Sequence, residues 1–65
     1  MDYQIRGSEI NGYNIFLHEG EGKDMKTGFV FKGSKIAKFK DVRSASDVAT
    51  RIIVGKTDKY SFLLQ

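Results

Sequence analysis

"KTGFVFKGSKIAKFKDVRSASDVATRIIVG", residues 26–55, carries two different periodicities on either side of Lys40, and the fold turns on them. The first half holds Phe29-Val30-Phe31, then Gly33-Ser34, then an apolar return through Ile36, Ala37 and Phe39. Gly33-Ser34 suits a two-residue type II′ turn, which takes Gly at its first position, so the segment reads as a β-hairpin. Two registers remain open. A two-residue loop pairs Lys32 with Lys35 and Phe31 with Ile36, placing Phe29, Phe31 and Ile36 on one face and Lys32 and Lys35 side by side on the other. A three-residue loop aligns Phe29, Phe31, Ala37 and Phe39 as the core face, because one residue of slip moves every side chain across the sheet. In the second half Ala45, Val48, Ala49 and Ile52 recur at helical spacing, widened by Ile53. Ser44 with Asp47 approximates a capping box, and Gly55 ends the helix, so the expected span is residues 44–54.

Upstream, Tyr3-Gln4-Ile5-Arg6 alternates as a strand does. Asn11-Gly12 is the strongest turn signal, separating Ser8-Glu9-Ile10 from Tyr13-Asn14-Ile15-Phe16-Leu17. Tyr13, Ile15 and Leu17 share one face; Asn14, Phe16 and His18 share the other. Residues 18–28 read as a polar, glycine-bearing loop, and residues 60–64 as a last strand. The expectation is one α+β domain spanning residues 1–65: a four- to five-stranded, mostly antiparallel sheet in ββββα order, with a C-terminal strand and one helix packed on one face. Its expected core is Tyr13, Ile15, Leu17, Phe29, Phe31, Val48, Ile52 and Phe62.

Sixty-five residues leave a small core, burying about 60% of the unfolded surface. With no cysteine, neither disulfides nor thiolate metal sites can reinforce it. No apolar run approaches the ~18 residues of a membrane span, and MDYQIRGSEI lacks the charged lead and apolar stretch of a signal peptide. The expected compartment is the cytoplasm, of a bacterium or a mobile element. Charge is unevenly distributed. Residues 1–25 hold two bases against five acids, and residues 26–65 hold nine bases against three.

Chemistry-bearing motifs are few. Val54-Gly55-Lys56-Thr57 ends like a phosphate-binding P-loop, but Thr50 stands where that pattern needs glycine, and Gly55 follows a helix instead of opening one. Gly20 and Gly22 have no third glycine at fingerprint spacing, and Glu19 and Glu21 would repel a phosphate. Glu19, Glu21 and Asp24 lack calcium-loop spacing, so no metal is expected, nor any cofactor. His18 is the only histidine and has no evident partner for base catalysis. No catalytic residue is assigned, and an enzyme is not expected.

Lys26, Lys32, Lys35, Lys38 and Lys40 surround the aromatic strands of the opening stretch, with Arg43 and Arg51 just beyond. Lysines facing each other across strands repel, and either solvent or a polyanion must offset that. Lysine-rich strands also discourage sheet-to-sheet aggregation, which is the plain structural account. The functional account is nucleic acid: lysines contact phosphates, and exposed aromatics stack on single-stranded bases. The leading expectation is a small non-enzymatic nucleic-acid-binding protein using these seven residues. The alternative is a protein-interaction module, a mobile-element inhibitor or regulator, as a homodimer or with another protein. It would use the C-terminal strand, the helix or the acidic loop at residues 18–24.

The turn and strand start at Asn11-Gly12-Tyr13, with Phe39, Asp41, Ala45 and Ala49 leading into the helix, resembles in order the small arm-type DNA-binding domains at the N-termini of phage integrases. The resemblance covers residues 13–53. It implies a sheet that enters the DNA major groove. This chain departs from that pattern in lacking an arginine-rich strand face and in having an additional strand.

Overall fold

In the computed structural model, which describes residues 1–65, β1 (Asp2–Ser8) and β2 (Gly12–Glu19) pair antiparallel, with Ser8 opposite Gly12 and Asp2 opposite His18. The loop between them is Glu9, Ile10 and Asn11, not the expected Asn11-Gly12 turn. Ser8 Oγ accepts the Asn11 N–H at 3.1 Å, and Gly12, at φ 86°, supplies the left-handed residue that closes a three-residue hairpin loop. Ile10 therefore leaves the strand and stands at the loop tip, 93% exposed.

A 3₁₀ turn at Gly22–Asp24 leads into β3 (Lys26–Lys32). Strand pairing reaches further into the expected loop than composition suggested, with Glu19 opposite Lys26 and His18 opposite Thr27. β4 (Lys35–Ile36) returns with Lys32 opposite Lys35 and Phe31 opposite Ile36, so the two-residue register is the one adopted. Gly33 has φ 67° while Ser34 keeps negative φ, as a II′ turn requires. After the helix, β5 (Ser61–Phe62) pairs antiparallel with β3, and Thr27 and Gln65 extend that pairing by exchanging two backbone hydrogen bonds at 3.0 Å. The sheet runs β1-β2-β3-β4 with β5 added on β3. This is the α+β fold, in ββββα order with a fifth strand, that the alternation of periods predicts.

The helix α1 (Val42–Ile53) starts two residues before the expected Ser44 cap. Asp41 is the N-cap, its carboxylate accepting the Ser44 N–H at 2.7 Å. A carboxylate meets the positive end of the helix dipole better than a hydroxyl does, and Ser44 falls at the third helical position. The C-terminus closes as predicted at Gly55, φ 75°. Gly55 N–H donates to the Ile52 carbonyl and Lys56 N–H to the Arg51 carbonyl, the paired bonds of a Schellman motif.

α1 packs against β1 and β2, burying Ala45, Ala49 and Ile52. Beneath it lie Ile15, Leu17, Val30 and Ala37, also buried, with Tyr3, Ile5, Tyr13, Phe39, Val48, Tyr60 and Leu64 half-buried around them. Ile15, Leu17 and Ile52 thus meet expectation, and Tyr13 and Val48 take part at the margin. Phe29 and Phe31 do not. Leu17 lies opposite Gly28 and Phe16 opposite Phe29, so alternation turns Val30 to the helix and carries both phenylalanines to the far face. Phe62 sits at the rim, 38% exposed. No helix is long and apolar enough to cross a membrane.

Candidate nucleic-acid interface

Because α1 covers one side of the sheet, the residues alternating with the core form an uncovered face. From β1 it takes Gln4 and Arg6; from β2, Asn14, Phe16 and His18; from β3 and β4, Phe29, Phe31 and Ile36. The Phe16 and Phe29 rings meet edge-on, 5.0 Å between centroids at 60°. The Arg6 guanidinium stacks over Phe16, 3.8 Å from its centroid, and its Nε donates to Gln4 Oε1 at 3.1 Å. Asn14 Nδ2 donates to the Ala37 carbonyl at 3.4 Å, tying β2 to the chain after β4. The result is a half-buried aromatic platform with the Arg6 guanidinium over one of its rings. Every nucleobase has a π-face that such rings can stack upon, and a guanidinium plane serves the same purpose.

The hairpin tip next to this platform is cationic. Lys32 and Lys35 face each other directly across the β3–β4 pair and by alternation point to the helix side, opposite to Phe31 and Ile36, whereas Lys38 lies on the open face. Together with Lys38, Phe31 and Ile36, Lys32 and Lys35 line an open cleft of about 660 Å³ at the hairpin tip. The Lys38 stem passes beside Gly12, where an added Cβ would lie 3.6 Å from it.

Of the seven expected contact residues, the fold brings these three lysines together and spreads out the others. Lys26 stands at the opposite end of β3, opposite Glu19 and about 20 Å of strand from Lys32. Lys40 and Arg43 flank the Asp41 cap. That carboxyl is held below its ordinary range, first by hydrogen bonding to Ser44 and then by the charges of Lys40 and Arg43. Arg51 lies in the last turn of α1. With Lys56, Lys59 and Tyr60 it borders a second, smaller cleft of about 280 Å³.

Among known proteins, no family model, curated protein or solved structure matches this chain. The site therefore stands on its own geometry. Two of its parts escaped sequence reasoning. Arg6 was read only as a polar strand residue, and Phe29 and Phe31 were assigned to the core. The signal that could have found them was the pairing of Phe16 with His18 and Asn14 on one face of β2, which leaves a large aromatic among polar neighbours.

Proposed function

We propose that this protein is a non-enzymatic binder of single-stranded nucleic acid. Bases stack on Phe29, Phe31 and the Arg6 guanidinium that covers Phe16, while Lys38 on that face and Lys32 and Lys35 at the hairpin tip contact the phosphates. The observation that carries the reading is the edge-on Phe16–Phe29 pair, uncovered by the helix and next to a hairpin tip with three lysines. The three rings are half-buried yet lie outside the core, so core packing alone does not account for them; half-exposed rings near lysines are matched by a partner with both π-faces and negative charge. A single strand offers both. A duplex hides its base faces, so the aromatic platform favours an unpaired strand over the major-groove docking that the integrase resemblance implies.

The test is a residue-resolved NMR titration with short single-stranded and duplex oligonucleotides at low salt. The expected result is chemical-shift change on β2, β3 and β4, stronger with the single strand, and weakened steeply by added salt. Phe29→Ala should reduce affinity roughly 5- to 150-fold, the range for one stacked base. Unchanged spectra with both oligonucleotides would overturn the reading. They would turn attention to a protein partner at the segment after β5, where Leu63 is 69% exposed.

A further inference from the structure

β1 has a single partner strand, β2, so its other edge is open. Which backbone groups face that edge follows from the ladder. Tyr13, opposite Gly7, gives both its N–H and its carbonyl to Phe39 on the other side of β2, at 2.8 and 2.9 Å. Gly7–Tyr13 is therefore a non-hydrogen-bonded pair. Antiparallel ladders alternate, so Tyr3–Leu17 and Ile5–Ile15 are of the same kind, and the N–H and carbonyl of Tyr3 and Ile5 point outward. A second observation agrees: the Tyr3 N–H is taken by the Asp2 carboxylate at 2.8 Å, a side chain acting where a strand is missing.

We infer that β1 pairs antiparallel with β1 of a second copy of this chain, about a two-fold axis at Gln4. The register is chosen by charge. Centred on Gln4, it sets Asp2 opposite the partner's Arg6 and Arg6 opposite the partner's Asp2. Tyr3 then lies opposite the partner's Ile5, so Tyr3 and Ile5 of both copies can exchange backbone hydrogen bonds. Centring on Ile5 sets Asp2 opposite Ser8 and Arg6 opposite Gln4, centring on Tyr3 sets Asp2 opposite Gln4 and carries Arg6 past the partner's β1, and centring on Asp2 or Arg6 sets like charges together, which is destabilising. In the chosen register the Tyr3 N–H passes from Asp2 to the partner's Ile5 carbonyl, and Arg6 turns from Phe16 and Gln4 to the carboxylate so freed on the partner's Asp2.

Residues directly opposite in an antiparallel pair point to the same face, so both helices lie on one side of the joined sheet and both aromatic faces on the other. The half-buried Tyr3 and Ile5 gain apolar cover from their counterparts. The interface is isologous, as a closed two-fold dimer requires.

Analytical ultracentrifugation of the whole chain, without nucleic acid, tests this. The wild-type protein should show a reversible monomer–dimer equilibrium at the concentrations used for NMR. Asp2→Arg and Arg6→Asp each place like charges in both cross-strand pairs and should weaken self-association tenfold or more. The two variants mixed, or both changes in one chain, restore opposite charges and should recover the dimer. Circular dichroism checks that each variant keeps its fold, since both side chains are exposed. A folded wild-type chain that stays monomeric overturns the inference. So does a dimer indifferent to both reversals, or one that the combined changes fail to restore.

Discussion

Gly28 lies directly under the backbone of Leu63. A Cβ added at Gly28 would collide with the Leu63 carbonyl oxygen, and the Leu64 side chain closes in at 3.4 Å. Gly28 has no positive φ, so its lack of a side chain serves close approach, not an unusual backbone conformation. It is the position that lets the C-terminal segment lie along β3.

Gly28→Ala should therefore dislodge that segment. The expected cost is about 1–3 kcal/mol, as for other overpacked sites. Hydrogen exchange should show the Thr27 and Gln65 amides losing protection first, while the β1–β2 amides keep theirs.

Val30 and Phe31 are neighbours with opposite roles. Val30→Ala removes buried methyl groups beneath α1 and should destabilise by roughly 2 kcal/mol, read from a denaturant midpoint. Phe31→Ala should leave a larger share of its effect in oligonucleotide affinity than in stability. The reverse ordering would place Phe31 in the core and undo the facing assigned to β3.

Asp41 makes stability depend on acidity. Its carboxyl is held below the ordinary value of 3.8 by the bonds to Ser44 and by Lys40 and Arg43. A depressed folded pKa means that the unfolded chain takes up the proton first. This contribution is fully present above pH 3.8 and is lost as pH falls through the lower folded value. Asp41→Asn should flatten that part of the pH profile of thermal unfolding and lower the melting temperature at neutral pH.

Lysine substitutions should separate in salt. Lys32→Gln, Lys35→Gln and Lys38→Gln are each expected to reduce the slope of log affinity against log salt by about 0.7 for a single strand. Lys26→Gln, at the far end of β3, should change it less. Fluorescence anisotropy across a salt series reads both.

Ile10 tests the first hairpin. If it were a strand residue, Ile10→Asp would be costly. At the tip of a three-residue loop it should shift stability by no more than about 0.5 kcal/mol, seen as an unchanged melting temperature.

Local chemistry made much of this protein legible from residue order. Gly33-Ser34 specified a II′ turn because only glycine takes its first position without strain, and Gly55 specified the helix end for a related reason. Ala45, Ala49 and Ile52 announced the buried stripe of α1, since helical spacing needs no knowledge of the rest of the chain. Tertiary structure decided what local chemistry leaves degenerate. Asp41 and Ser44 could each cap a helix, and the start that buries Ala45 with Asp41 at the dipole selected between them. Phe29-Val30-Phe31 is apolar on both faces, so its period cannot say which side meets the helix. That was settled by the long-range pairing of Leu17 with Gly28, which turned Val30 inward and left the two phenylalanines beside Phe16 and Arg6 on the open face.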